Sequence, residues 1–375
     1  SGASAAHLRR ISWLRCSAAT LVVEREFEKP LLMACDLGVP ENKRVHPLPG
    51  SIGSRAVVAA LGIDGVKING KRREVWQSYA TGGNLRSRTA ALELIGSHDE
   101  LGDVAPQVLT AALSAKEHGL VGTAAQVIAK HPERVRVETK KGVSTVDARV
   151  KKALLAALAK PGGDLEALSD VVQAVGALGL DDGKKRLLEL CSSPHAVLRD
   201  KSHAALAQLL GGASKVRCKP QKPLPAPAEL DHVVTKPITV ELDSDAGKLT
   251  LELDPELAPI AVTRVADLVK SGFYNNMVVH RVVPAFVSQF GSPTADGYGG
   301  APGKPALPCE TSPISYRTGS VGVALAGRDT GGSQLFVLHV PTPHLDGKYA
   351  LLGKGGGAWD ALVDGDVIRK ARIVE

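Results

Sequence analysis

The sequence is poor in aromatic residues, in cysteine and in long apolar runs, and each shortage excludes a class of protein. Only 3% of the 375 residues are Phe, Tyr or Trp and only five are Cys, which excludes a small disulfide-stapled fold. No stretch approaches the roughly 18 uncharged apolar residues that a membrane-spanning helix needs. Charged residues make up 23% of the chain, with a net charge of +7, which is not the composition of a disordered chain. We therefore expect two or three globular domains and no membrane span.

Aromatic content and charge both change near residue 235. Nine of the aromatic residues lie after this point, where residues 236–375 carry 13 basic and 15 acidic residues, against 33 and 24 upstream. Just before it, the segment 218–228 contains four prolines, which favour an extended, semi-rigid linker. The sequence therefore predicts a helical region over 1–217, a Pro-rich linker over 218–235 and a differently built domain over 236–375.

Residues 1–217 are rich in Ala and Leu with the apolar spacing of helices. Short connections separate the candidate helices, so neighbours should lie antiparallel, and Ser193 with Pro194 at the first helical position is expected to begin the last of them. The candidates toward the end of the region are 149–159, 164–178, 182–191 and 194–210.

A sequence echo within this region suggests internal repeats. Leu85-Arg86 leading into Ala90-Ala91-Leu92 is repeated, one residue out of step, by Leu198-Arg199 leading into Ala204-Ala205-Leu206, and a weaker copy begins at Leu14. Small Ala faces let paired helices approach closely, so the pattern predicts an N-terminal α-solenoid of HEAT-like helix pairs. An unrelated helical bundle is the alternative. The sequence leaves open the oligomeric state and whether more repeats precede Ser1.

A helical repeat region presents an extended surface, and we expect it to bind a protein partner or client. Its Lys and Arg residues occur in twos and threes without interleaved aromatic residues, as at Lys140-Lys141 and Lys184-Lys185. This is the pattern of solvated helix faces, so no nucleic-acid partner is predicted.

The five cysteines lack both Cys-x-x-Cys spacing and histidines at zinc-site distances, so no metal is predicted. In an oxidising compartment Cys16 could pair with Cys35 and Cys191 with Cys218, leaving Cys309 free, while five thiols are the alternative.

The chain begins at Ser1 rather than Met, so an export signal could precede it. Cytoplasmic and periplasmic or other extracytoplasmic locations both stay open.

The apolar period changes from helical to alternating after the linker. Ile238, Val240 and Leu242 alternate with polar residues, and so do Leu249, Leu251 and Leu253 after a short turn, which predicts a β-hairpin. Pro259 is expected to open a helix. Further Val-rich strands between Gly-rich turns favour a closed β-barrel with a few helices over its ends.

Several motifs in this domain occur together and in a fixed order. They are Gly272-Phe-Tyr274, His280-Arg-Val-Val-Pro-Ala-Phe-Val-Ser-Gln289, Ala324-Leu-Ala-Gly327, Thr330-Gly-Gly-Ser-Gln-Leu-Phe336 and Leu345-Asp-Gly-Lys348. Through them residues 236–375 closely resemble the cyclophilin family of peptidyl-prolyl cis-trans isomerases. The resemblance implies an eight-stranded barrel capped by two helices, with the active groove on its outside, acting on proline-containing polypeptide clients without a cofactor.

The chemistry of such an isomerase explains the residue types. Rotation about an X–Pro bond faces an amide resonance barrier of ~18–20 kcal/mol, and a permanently protonated donor at the prolyl nitrogen would lower it. The resemblance assigns this role to Arg281, with Phe286 and Gln289 as the other catalytic residues. It also implies the substrate-binding residues Val287, Ala324, Leu325, Phe336, His344, Leu345 and Tyr349.

One position departs from many relatives in a way that bears on inhibitors. Cyclosporin-sensitive family members often have Trp just before Leu-Asp-Gly-Lys, where this chain has His344, so weak cyclosporin binding is expected. Arg264, Phe290 and Leu335 also differ from the usual family residues.

The alternative function is a module that binds proline-containing segments with little or no turnover. Retention of Arg281 favours the enzyme, because a binder needs no cation at the prolyl nitrogen.

Overall fold

The computed structural model describes residues 58, 61, 67–138, 142–160, 164–212 and 216–374. Contacts divide the chain into two compact units, Ser1–Lys222 and Pro223–Glu375, a division that lies within the Pro-rich segment. The bounds 1–217, 218–235 and 236–375 stay predictions. The possible Cys16–Cys35 pair and the sequence copy beginning at Leu14 lie outside the described residues.

The described part of the first unit is built mainly of helices. These are α1 (Gly70–Gly82), α2 (Leu85–Ser97), α3 (Ala105–Leu113), α4 (His118–Lys130), α5 (Ala148–Ala159), α6 (Leu165–Leu178), α7 (Lys184–Leu190) and α8 (Ala196–Leu210). A two-stranded hairpin, β1 (Arg136–Glu138) with β2 (Ser144–Val146), lies between α4 and α5.

The helices stack in two rows. In one row α2 packs against α4, α4 against α6 and α6 against α8, while α3 packs against α5 in the other. Neighbouring helices within a row approach closely where side chains are small: a Cβ added at Gly176 of α6 would lie 2.7 Å from the Cα of Ala205 on α8. An N-terminal region of paired helices is therefore present, and its HEAT-like character stays a prediction.

Helix starts follow the expected capping chemistry at some helices and depart from it at α8. Asp147 accepts from the N–H of Arg149 at 2.8 Å to cap α5, as the local sequence favours. The prediction that Ser193 and Pro194 begin α8 is wrong. The Ser193 hydroxyl instead accepts from the N–H of His195 at 3.2 Å, which holds His195 in an extended conformation, and the helix begins at Ala196.

Cys191 and Cys218 form a disulfide that closes the end of the first unit. The bond joins the end of α7 to the segment after α8, and the Gln221 N–H donates to the Ser192 carbonyl at 3.2 Å beside it. This pairing, one of the two that the sequence allowed, is formed. Cys309, in the second unit, is a free thiol.

The second unit contains a closed, antiparallel, eight-stranded barrel, as expected. Its strands are β3 (Ile238–Ser244), β4 (Gly247–Leu253), β5 (Met277–Val283), β6 (Val287–Phe290), β7 (Ser320–Val323), β8 (Leu335–Leu338), β9 (Leu351–Gly356) and β10 (Val367–Val374). They are ordered β10-β3-β4-β9-β7-β8-β6-β5, with β5 pairing to β10 to close the ring. Alternate side chains such as Val240, Leu251 and Val321 fill the interior.

Helix α9 (Pro259–Lys270) begins at Pro259 as predicted. Two backbone N–H groups of its first turn, on Ile260 and Ala261, donate to the Glu310 carboxylate at 2.9 and 2.8 Å. The second capping helix that the resemblance implies is reduced, in the described residues, to the 3-10 turn Trp359–Ala361.

Part of the Pro-rich segment packs on α9. A 3-10 turn, Ala228–His232, places Glu229 against Arg264, and both side chains are only 1% exposed. The N–H of Val234 donates to the Thr263 hydroxyl at 3.0 Å close by. The unusual Arg264 therefore has a structural reason, since it pairs with a carboxylate from outside the barrel. Residues 228–234 form part of the second unit.

Among the described residues, no helix is both long enough and apolar enough to cross a bilayer.

Candidate active site

A second apolar cluster lies outside the barrel interior. Phe336, Leu338, Leu345 and Leu351 are buried together, and further apolar side chains pack on them. The cluster contains the predicted groove residues Phe286, Val287, Ala324, Phe336, Leu345 and Tyr349. The structure thus gathers most of the sequence-predicted substrate-binding residues on one outer face of the barrel.

Strand pairing aligns the predicted catalytic residues across that face. Arg281 on β5 pairs with Gln289 on β6, Gln289 with Phe336 on β8, and Phe336 with Gly322 on β7. Directly opposed residues in an antiparallel sheet share a face, so these four form one row. A register shift between Val279 and Arg281 leaves the extra residue on β5, and such bulges change the direction in which a strand presents its side chains.

The row ends in a glycine because an aromatic ring covers that position. A Cβ on Gly322 would lie 2.4 Å from Cζ of Phe336 and 2.8 Å from the Tyr316 hydroxyl. The ring of Phe336 also packs edge-on against Tyr349, with centroids 5.9 Å apart, and beside Tyr316 at 5.8 Å. These contacts hold the Phe336 ring in one position, where it forms the floor of the groove.

The Arg281 guanidinium is held from two sides. Its Nη1 donates to Oε1 of Gln289 at 3.3 Å, and its Cζ lies 5.7 Å from the centroid of the Phe286 ring. The arginine side is exposed, while the Phe336 side is buried. A cation thus borders an apolar surface on the outside of the barrel, and the catalytic roles of these residues stay a prediction.

Sequence reasoning missed Gln334, which fixes the orientation of Gln289. The Gln334 amide nitrogen donates to the carbonyls of Gly297 and Gly299 at 2.7 and 2.9 Å. Its oxygen is thereby turned to accept from the Gln289 amide nitrogen at 3.0 Å, and this leaves the Gln289 oxygen facing Arg281. Gln334 stands within the quoted Thr330–Phe336 motif, but its partners lie 35 and 37 residues away and no local pattern indicates them.

The turn between β5 and β6 presents Phe286. Ala285 has a positive φ of 55° directly after Pro284, and the Phe286 N–H donates to the Val283 carbonyl at 3.1 Å. This is the backbone of a type II turn, which ordinarily has glycine at the third position. The Phe286 ring stacks on the His344 ring with centroids 6.0 Å apart, so His344 lies at the groove rim.

Ala324 and Leu325, whose backbone groups are predicted to bind substrate, differ in which of those groups are available for hydrogen bonding. The Ala324 N–H already donates to the Gln334 carbonyl at 2.9 Å, so only its carbonyl is available to a bound chain. The backbone of Leu325, just outside β7, makes no hydrogen bond with the described part of the chain. Leu325 is therefore the better placed of the two to pair with an extended peptide.

Beside the groove, His339 contacts Ser288 with an Nε2 to Oγ distance of 2.8 Å, and the Ser288 hydroxyl donates to the Trp359 carbonyl at 3.0 Å. Burial lowers the pKa of His339. Ser288 is fully buried and its proton is already donated, so this pair bridges strands and does not form a nucleophile with its base. In the described residues no group of three or more His, Cys, Asp or Glu side chains is arranged to hold a metal.

Comparison with known proteins assigns the second unit to one family. The family model described as cyclophilin type peptidyl-prolyl cis-trans isomerase/CLD matches residues 238–362. A peptidyl-prolyl cis-trans isomerase B of Bacillus subtilis is 41% identical over 134 residues, which are 34% of this chain and 92% of the relative. A peptidyl-prolyl cis-trans isomerase of Helicobacter pylori is 39% identical over 147 residues, covering 39% of this chain and 89% of that protein.

Among solved structures, a cyclophilin type peptidyl-prolyl cis-trans isomerase of Cryptosporidium parvum aligns with a TM-score of 0.35 and 26% identity, over 37% of this chain and 98% of its own. The barrel and its outer groove define the class as a cyclophilin-type isomerase. The chain belongs to the cyclophilin family through its second unit. The family match does not include the helical unit.

Proposed function

We propose that this protein isomerises X–Pro bonds in polypeptide clients, with the proline ring bound against Phe286, Phe336 and Leu345. The observation that carries the proposal is the row Arg281, Gln289, Phe336 and Gly322 across the outer face of the barrel. It places a fixed cation beside a buried aromatic floor, and no covalent chemistry is needed.

The residues act together on the prolyl amide. As the C–N bond rotates, resonance is lost and the prolyl nitrogen becomes pyramidal, with a lone pair that can accept a hydrogen bond. Arg281 donates to that lone pair, which stabilises the twisted state more than the planar one and so lowers the barrier. Gln289 positions the guanidinium, while the Leu325 backbone holds the flanking peptide.

The test is exchange of an N-acetylated Ala-Pro peptide amide, followed by NMR line-shape or exchange spectroscopy. Arg281→Ala should lower kcat/KM by about two orders of magnitude, a typical loss for one transition-state donor. Arg317→Ala, which removes an exposed arginine outside the groove, is the matched control and should keep full activity. Peptide binding without accelerated exchange in the parent would favour the alternative binding module.

We further propose that the helical unit binds the client or a partner protein. Support comes from its stacked rows of helices, which offer an extended surface. Deletion of this unit should leave peptide isomerisation unchanged and slow only the proline-limited refolding of a protein client. Equal loss on peptide and protein would argue that the helices serve the barrel's stability.

We also propose an extracytoplasmic location, supported by the Cys191–Cys218 disulfide, because such bonds persist in oxidising compartments. Acid-quenched cells labelled with a thiol-specific mass tag give the test. Protein that gains tags at Cys191 and Cys218 only after reduction agrees with the proposal. Protein that is fully tagged without reduction contradicts it.

A further inference from the structure

A cavity of about 450 Å³ lies beside the proline groove in the second unit, and it shares residues with that groove. Leu325 and Tyr349, both predicted substrate-binding residues, line it. Because the Tyr349 ring packs against Phe336 with centroids 5.9 Å apart, one aromatic ring separates the groove floor from the cavity. In the binding mode proposed above, a client chain with its proline on Phe336 would run close to this opening.

The cavity has cations in its lining and no carboxylate. Arg328 and Lys348 contribute side chains, while its other members are neutral. Arg328 is 80% exposed, and its Nε lies 3.6 Å from the Asp329 carboxylate, a loose contact. No carboxylate of the described residues pairs with the ammonium of Lys348.

Two acidic residues near the cavity accept hydrogen bonds from backbone N–H groups. Asp329 accepts from the Cys309 N–H at 2.9 Å, and Asp346 accepts from the Tyr316 N–H at 2.7 Å. Cys309 lines the cavity, and burial together with the charge of Asp329 raises its thiol pKa, so it adds no anion at neutral pH. The lining itself therefore carries two cations, while the carboxylates of Asp329 and Glu310 lie outside the lining but close enough to raise the pKa of the Cys309 thiol.

We propose that this cavity is a subsite for an anionic side chain of the client, carried within two residues of the isomerised proline. Arg328 and Lys348 make it selective for Asp, Glu or a phosphorylated residue over neutral ones. The inference depends on the proposed isomerase function, since it assumes that the proline occupies the groove on Phe336. The chemistry is charge pairing at an exposed site, so the selectivity is moderate and sensitive to salt.

The experiment scans one glutamate through the two positions before and the two after proline in N-acetylated peptide amides, each paired with a glutamine peptide. Binding is measured by titration and turnover by NMR exchange, at 20 mM and 500 mM NaCl. At one or more positions the glutamate peptide should bind roughly three- to tenfold tighter than the glutamine peptide at 20 mM NaCl. The difference should appear in KM and not in kcat, and it should shrink at 500 mM NaCl.

The variant Arg328→Gln/Lys348→Gln should abolish the preference while retaining turnover of the glutamine peptides. Lys248→Gln, an exposed lysine that does not line the cavity, should leave it intact. Phosphoserine in place of Glu at the preferred position distinguishes the source of the anion. If the phosphoserine peptide binds severalfold tighter than the glutamate peptide, the subsite is assigned to phosphorylated clients. If it binds equally or more weakly, the subsite is assigned to clients with Asp or Glu.

Indifference to charge at every position, or a preference that survives the double substitution, overturns the subsite. Failure of the proposed function looks different: no peptide would exchange faster, whereas the titration would still report whether the acidic peptides bind preferentially.

Discussion

At the residue scale, the groove depends on a glycine as much as on its aromatic residues. Gly322 lies under the Phe336 ring, and Gly322→Ala would place a methyl group 2.4 Å from Cζ of that ring. The ring must then leave its position on the floor. We expect kcat/KM to fall about tenfold, equivalent to roughly 1.4 kcal/mol, because proline loses its flat contact.

Gly332→Ala is the control for that change, because its added Cβ would meet nothing nearer than 3.9 Å. Circular dichroism should show both variants folded. Full activity in Gly322→Ala would mean that the Phe336 ring position does not matter for turnover.

We also predict that cyclosporin binding depends on a single residue. His344 stacks on Phe286 at the rim and offers less apolar area than a tryptophan at the same place. His344→Trp should tighten cyclosporin binding by roughly one to two orders of magnitude, since a few tens of Å² of added contact and one indole hydrogen bond each contribute about 1 kcal/mol. Isothermal titration calorimetry measures it, and similar Kd values for both proteins would exclude His344 as the determinant.

At the scale of elements, α6 and α8 meet through Gly176. Alanine normally stabilises a helix by up to about 1 kcal/mol relative to glycine, but here its Cβ would press on the Ala205 backbone at 2.7 Å. Gly176→Ala should therefore lower the free energy of unfolding of the helical unit by about 1–2 kcal/mol. Gly82→Ala, at an open position in α1, should not destabilise. Urea denaturation of both variants checks the difference in sign.

The contact between the 3-10 turn Ala228–His232 and α9 depends on a buried ion pair. Burial alone would raise the pKa of Glu229, but the hydrogen bond and charge of Arg264 outweigh it, and the pKa is lowered. A depressed carboxyl pKa contributes stability above the ordinary Glu pKa, and that contribution is lost as the pH falls through the folded-state value.

Glu229→Gln should therefore cost about 3 kcal/mol at pH 7, because Arg264 stays buried without a compensating charge. The gap between parent and variant should narrow below about pH 4. Glu256→Gln, at an exposed site, is the control. A gap that stays constant between pH 7 and pH 3 would show that charge is not the cause.

At the scale of the whole molecule, the sequence predicted what local pattern and adjacent motifs carry. The alternation of apolar and polar residues predicted β3 and β4, and the motif around Arg281 predicted which residues line the groove. The sequence could not indicate contacts between distant segments, such as Glu229 with Arg264 or Gln334 with two glycine carbonyls. The same limit applies to the choice between paired and free cysteines and to the Arg328–Lys348 cavity.

The extent of the independently folding second unit follows from the same distant contacts. A fragment of residues 236–375 would expose the α9 surface that residues 228–234 cover, and would leave Arg264 without its carboxylate partner. We expect the fragment 223–375 to unfold cooperatively, with an unfolding free energy about 3 kcal/mol larger than that of the fragment 236–375. Its urea midpoint should therefore be clearly higher. A fragment beginning at residue 228 should match the longer one, which would assign the gain to residues 228–235. Equal midpoints for all three fragments would place the boundary at residue 235, as composition alone suggested.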